Sequence, residues 1–208
     1  MAYKKGIADR FRGFLPVIID VETAGFNHKK DALLEVAAVI LRMNDEGIIK
    51  QKESIAVHIE PFPGANLDTN ALKFTGIDPF NPFRMAKPEL KAMEMILNPI
   101  RKEVKETNCS RAILVGHNAT FDLNFMQAAV ARTKIKKDPF HQFSTFDTAT
   151  LGGLAYGQTV LAKACKAAGI EFNDANAHAA LYDAERTAEL FCDIVNRWDK
   201  MAGFPPPL

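Results

Sequence analysis

The chain is poor in cysteine, in long apolar runs and in charge of any one sign. Its three cysteines, Cys109, Cys165 and Cys192, cannot all pair within one chain and contain no closely spaced couple. That excludes a disulfide framework and a cysteine-rich zinc site, and it suits reduced thiols in a cytoplasmic protein. The longest apolar stretch, Leu33 to Leu41, is interrupted by Glu35 and falls far short of the ~18 residues of a membrane span. The first ten residues lack the apolar segment of a secretory signal. The formal net charge is +1, so no excess of one sign points to a partner. What remains is 48% hydrophobic and 25% charged residues over a length of 208. This is the composition of an ordinary globular protein, and one domain over 1–208 is expected, since two would each have a cramped core.

Periodicity places the elements. Leu15-Pro-Val-Ile-Ile-Asp-Val is a nearly continuous apolar run closed by acids and Gly25, the pattern of a buried central strand. Residues 33–41 and 53–60 read as two more strands around the turn Asn44-Asp-Glu-Gly47. A long Pro-, Asn- and Gly-rich loop over 61–88 holds one helical turn near 70–74. Helices are predicted over 88–106, from Asn118 to about Arg132, over 160–168 and over 180–198; strands are predicted over 112–116 and 144–148. Leading strands followed by alternating strands and helices make the chain α/β with a mixed sheet.

Acidic residues fall at telling points of this layout. Asp20 and Glu22 are two apart on a strand and therefore share a face. Two carboxylates so close repel unless a cation lies between them, and Mg²⁺ takes oxygen ligands while keeping water positions for a phosphate. A pair of acids at a strand end is the plainer reading. Asp122 follows the fourth strand on the first turn of a helix, where the helix dipole already favours an acid. As a third ligand it requires the first and fourth strands to be neighbours. His178 and Asp183 are five residues apart, about 140° in helical projection. They can serve one site only if His178 lies in the loop before the last helix and Asp183 on its first turns.

Asp20-Val-Glu22, Asn118-Ala-Thr-Phe-Asp122 and His178-Ala-Ala-Leu-Tyr-Asp183 resemble, in order, the three motifs of the DEDDh superfamily of 3′→5′ exonucleases. The His-x4-Asp form of the third separates this branch from the one that uses Tyr. Val17–Phe26, Gly64–Leu67, Gly76–Pro79, Thr145–Thr148 and Ala184–Trp198 extend the similarity, along nearly the whole chain, to a tRNA-trimming bacterial branch. The resemblance implies an RNase H-like fold with a five-stranded mixed sheet flanked by helices. It implies two Mg²⁺ held by Asp20, Glu22, Asp122 and Asp183, with His178 as general base. It also implies a homodimer acting on the 3′ ends of tRNA, other structured RNAs and single-stranded DNA.

By position in the family, Phe26, Phe74, Phe121 and Phe143 are the expected base-stacking residues, a role that needs no particular sequence. Where the family commonly carries Glu four residues before Phe74, this chain has Asn70, which bears on the choice of terminal base. Arg10, Arg12, Arg111 and Lys136 match a basic patch that serves the partner subunit's substrate. Short basic groups are indeed present, among them Arg132 to Lys137, and the net charge becomes +5 once the four −1 site carboxylates are set aside. Two alternatives share parts of this pattern: a proofreading-type DNA exonuclease, and a catalytically silent nucleic-acid-binding module.

Overall fold

A computed structural model of the chain describes residues 6–177 and 179–202. It contains five strands, β1 (Phe14–Thr23), β2 (Leu33–Met43), β3 (Ile49–His58), β4 (Arg111–Gly116) and β5 (Phe140–Asp147). The helices are α1 (Ile7–Arg10), α2 (Thr69–Thr75), α3 (Glu89–Glu106), α4 (Thr120–Thr133), α5 (Thr148–Tyr156), α6 (Leu161–Ala168) and α7 (Ala180–Ala202). The strands form one sheet in the order β3-β2-β1-β4-β5. β2 is antiparallel to both β1 and β3, whereas β4 runs parallel to β1 and to β5. The first and fourth strands are neighbours, as the Asp122 argument requires.

Sequence explains the order. Leu15, Val17, Ile18 and Ile19 of β1 are fully buried, as are β2 residues from Leu34 to Val39 apart from Glu35. Strands apolar on both faces must lie in the middle of a sheet covered on both sides. α3 and α4 pack together over β1 to β5, and α7 lies across β1, β2 and β3 with α5 and α6 against it. β3 exposes Lys50, Gln51, Lys52 and Glu53, a charged edge that discourages pairing with another chain.

Several bounds differ from the sequence expectation. β3 begins at Ile49 rather than 53, and β5 at Phe140 rather than 144. α5 and the short α1 were not expected at all. Gly152 and Gly153 weaken the helical signal of α5. Its start is nonetheless well made, since Asp147 accepts hydrogen bonds from the Ala149 and Thr150 amides. Gly152 is also a packing requirement: a Cβ there would sit 2.9 Å from the Gln158 carbonyl oxygen and 3.3 Å from Ala164 Cβ.

Candidate active site

β1 pairs with β4 only as far as Ile18 opposite Val115, and then runs on alone to Thr23 on that side. The overrunning backbone needs other partners, and Asp122 supplies one: its Oδ1 accepts the Val21 N–H at 3.1 Å. Asp122 is the third residue of α4, and the link from β4 to that helix is very tight. A Cβ on Gly116 would lie 2.9 Å from Asp122 Oδ2 and 3.0 Å from Ala119 Cα, so any larger residue would push the acid away from β1. Asp147 holds the same link from the other side, accepting the Ala119 N–H at 3.1 Å.

On the part of β1 that overruns β4, Asp20 and Glu22 share a face. Asp183 joins them from the first turn of α7, its amide bonded to Ala179 O at 3.1 Å. One carboxylate oxygen from each of Asp20, Glu22 and Asp183 lies within 4.8 Å of the others. Asp122 stands beside this triad rather than within it. Asp183 therefore falls where the spacing argument put it, while His178 lies outside the described residues.

The electrostatics are unfavourable as they stand. Burial, reinforced by Asp122, Glu22 and Asp183, holds the Asp20 carboxyl well above the usual carboxylate range. Burial, then Asp183, Glu35 and Asp122, raises Glu22 to about 8. Asp122 is raised by burial against the lowering effect of its backbone hydrogen bonds. Acids that resist ionising because they are buried, and for Asp20 and Glu22 also because they crowd one another, call for a counter-charge. An all-oxygen donor set of this kind fits a hard divalent cation such as Mg²⁺ and offers nothing to a soft one.

A cleft of about 760 Å³ opens from Glu22, lined by Phe26, Phe74, Phe121 and Asn70 among others. Phe26 is 88% exposed and Phe74 69%. Phe121 is half-buried, its ring 5.0 Å from Phe125 and 6.2 Å from Phe26. The wall carrying Phe74 is pinned from beneath. Asp68 caps α2, Asp68 N–H donates to Ala24 O, and Leu72 and Ile77 pack on Ala24 and Leu34.

Phe143 is not in this cleft. It lines a separate hollow with Phe14, Arg111 and His141, its ring edge-on to that of His141 at 4.6 Å. Arg12 is exposed and lies 5.1 Å from the Phe14 ring centroid, and Lys136 is exposed on the α4–β5 connection. Phe14 and Asp20 are six residues apart on one strand, so this cation-aromatic surface is about 20 Å from the carboxylates. Arg10 corrects the expectation of an exposed patch residue. It is 9% exposed, and its guanidinium donates to Gly47 O at 2.6 Å and Val195 O at 2.8 Å. It ties α1 to the β2–β3 turn and to α7.

Two contributors escaped the sequence reading. Glu35, seen there only as a break in an apolar run, is paired in register with Glu22 and helps raise it. His117 clamps the back of the site, with Nδ1 3.0 Å from Thr148 Oγ1 and Nε2 2.8 Å from Thr159 O. Burial lowers its pKa; Nε2 donates to the Thr159 carbonyl, and Thr148 Oγ1, which also donates to Gly116 O at 3.1 Å, ties the ring to the end of β4. A histidine directly after a strand was the available signal for it.

Comparison with known proteins agrees with this geometry. The exonuclease family RNase_T matches residues 17–191. A ribonuclease T of Marinobacter nauticus is 63% identical over 97% of this chain and 91% of its own. One from Salmonella typhimurium is 58% identical over 100% and 96%. The chain belongs to the ribonuclease T family. As a ribonuclease T family member it is a 3′→5′ exoribonuclease, a hydrolase of phosphodiester bonds. Among solved structures, E. coli exonuclease I in complex with a dT13 oligonucleotide superimposes with a TM-score of 0.68 at 20% identity. The match covers 90% of this chain but 42% of that one, so the likeness is one of fold and identifies the sheet as RNase H-like. The relatives above carry the name ribonuclease T, which favours the exoribonuclease over the proofreading alternative.

Proposed function

We propose that this exoribonuclease is Mg²⁺-dependent and trims the 3′ ends of tRNA and other structured RNAs, and single-stranded DNA ends as well, releasing nucleoside 5′-monophosphates. The observation that carries the reading is the meeting of Asp20, Glu22 and Asp183 oxygens within 4.8 Å at the foot of an aromatic cleft. Asp20, Glu22, Asp122 and Asp183 would hold two Mg²⁺, whose +4 would balance the −4 of four ionised carboxylates. When bound, the cations make water a better nucleophile and neutralise charge on the attacking and leaving oxygens. His178 accepts the proton of the attacking water, a task suited to an imidazole with a pKa near 6.5.

Phe26, Phe74 and Phe121 hold unpaired terminal bases by stacking. Stacking of this kind admits an unpaired 3′ end and not a base-paired one, and Asn70, an amide in place of a carboxylate on the cleft wall, adjusts which terminal base is preferred. Arg12, Arg111 and Lys136, with Phe143, serve the strand bound in the partner of a homodimer. Their distance of about 20 Å from the carboxylates of their own subunit supports this division of labour. The whole of 1–208 acts as one exonuclease domain in the cytoplasm. Buried free thiols at all three cysteines suit that location, and among the described residues no helix is long and apolar enough to cross a membrane.

The test is digestion of a tRNA carrying a labelled single-stranded 3′ tail, with Mg²⁺ and with chelator. Stepwise release of 5′-monophosphates that stops in chelator is expected. Internal cleavage, products with 3′-phosphates, or full activity in chelator would overturn the reading.

A further inference from the structure

Outside the cleft, the segment joining α2 to α3 exposes a second group of large apolar side chains. Phe80 is 76% exposed, Phe83 90% and Met85 73%, all within six residues. Single exposed apolar residues are ordinary, but a cluster of this size marks a contact surface. The backbone beneath them is firmly held. Asp78 Oδ1 accepts the Phe80 N–H at 3.0 Å and Asn81 Oδ1 the Phe83 N–H at 2.9 Å. Arg84 donates through Nη2 to Leu34 O at 2.7 Å and through Nη1 to Pro79 O at 3.3 Å. A bridge between Ile59 and Lys87 closes the far side. The phenylalanines are thus presented outward by an anchored turn.

Its position connects it with the active site. The carbonyl that anchors Arg84 belongs to Leu34, next to Glu35, and Glu35 is the cross-strand neighbour of Glu22. Phe80 follows Phe74 of the cleft wall by six residues, which limits their separation to about 20 Å. The surroundings are cationic. Arg84 is taken up by the Leu34 and Pro79 carbonyls and by Glu35, but Lys73, Lys87 and Lys91 share the segment with only two acids, Asp78 and Glu89, and Glu89 is already ion-paired with Arg132 at 2.6 Å. Aromatic faces among lysines, six residues along the chain from the wall of an aromatic cleft, match a polyanion with stackable bases better than a protein surface.

We infer that the Phe80–Phe83 turn is a second stacking platform, engaging the unpaired strand upstream of the nucleotides held in the cleft. This rests on the exonuclease reading of the carboxylate site. The separation is at most about 20 Å, so at about 3.4 Å per stacked nucleotide at most about six nucleotides bridge it; a strand of about ten reaches the turn, whereas one of about three is taken up by the three rings of the cleft itself. The platform makes the enzyme a sensor of single-stranded tail length.

The test compares KM for single strands of about three and about ten nucleotides in wild type and in Phe80→Ala/Phe83→Ala. Stacking at ~1–3 kcal/mol per base corresponds to about 5- to 150-fold. The expected result is that the advantage of the longer strand collapses by about tenfold, with an unchanged melting temperature because both side chains lie on the surface. Independently, the indole introduced by Phe83→Trp should be quenched by the longer strand and not by the shorter, measured against wild type, whose single tryptophan is Trp198. An unchanged length preference, or no quenching, overturns the proposal. Loss of self-association in sedimentation with the length preference intact also overturns it, by making the turn a protein contact. Wild type that acts on neither strand would instead sink the exonuclease reading, and this inference with it.

Discussion

The carboxylate cluster and the aromatic cleft share one end of β1 but are held there by opposite means. The acids stand on core elements. β1 is buried on both faces, Asp122 is locked to Val21 by a hydrogen bond, and Gly116 leaves no room for a substitute. The cleft wall is a loop and a two-turn helix, fixed to the sheet by the small cluster of Ala24, Ala32 and Leu34. Both regions are unfavourable when empty, one through crowded acids and the other through exposed phenylalanine. Rigidity, however, is needed mainly by the acids, since catalytic groups tolerate little displacement while stacking tolerates adjustment.

The largest effect separates the two at once. Asp20→Asn should lower single-turnover hydrolysis by at least about a thousandfold, the several kcal/mol that a bound cation contributes. The same change should raise the melting temperature of chelator-treated protein, because the folded state no longer has to take up a proton on a buried acid that the unfolded chain leaves ionised. Hydrolysis within tenfold of wild type would remove Asp20 from the ligand set.

The patch at the other end of β1 sharpens the contrast, because on the proposed reading its residues serve a partner's substrate. Arg12→Ala/Arg111→Ala should reduce tRNA trimming by about tenfold or more, by loss of charge-assisted phosphate contacts. Mixing that variant with Asp20→Asn should restore activity towards about a quarter of wild type, since a statistical mixture of two-fold dimers contains half heterodimers with one intact composite site each. No recovery on mixing, measured as initial rate after subunit exchange, would mean that patch and carboxylates serve the same subunit.

In the cleft, Phe26→Ala and Phe74→Ala should each raise KM for a single-stranded end by about five- to tenfold with little change in melting temperature. Phe121→Ala should do the same and also lower the melting temperature, since that ring packs on Phe125. Equal thermal effects at all three positions would erase the distinction between exposed platform and core-backed platform.

The smallest effect concerns pH. Folding raises Glu22 from an ordinary 4.5 to about 8, so between those values the folded state keeps a proton that the unfolded chain has lost. Stability from this group is complete below about 4.5 and is lost as pH rises towards 8. Melting temperatures of chelator-treated protein should therefore fall over that window more steeply in wild type than in Glu22→Gln. Parallel curves would show that Glu22 ionises normally.

Legibility in the sequence followed the same division. Asp20 and Glu22 could be read because a strand has period two and β1 is plainly apolar. Asp183 could be placed because five residues do not fit one face of a helix. The central place of the first strand and its adjacency to the fourth could be read from the apolar runs, whereas the full order β3-β2-β1-β4-β5 is seen only in the structure. Three features were hidden for physical reasons. α5 carries two adjacent glycines that its packing needs and its propensity does not favour. The starts of β3 and β5 lie on sheet edges, where polar residues on the exposed side blur the alternation. Arg10 shows that clustering of basic residues says nothing about which one turns inward to backbone carbonyls. The groove wall, Phe143 and the Phe80–Phe83 turn depend on contacts between distant segments, to which local spacing is blind.

The central claim is that crowded, proton-holding carboxylates become a cation site. Calorimetric titration of Mg²⁺ into chelator-stripped protein at pH 7, repeated in buffers of different ionisation heat, tests it most directly. Saturable binding that releases protons, and that is abolished by Asp20→Asn, is the predicted result. Binding without proton release, or identical heats in the variant, would contradict it.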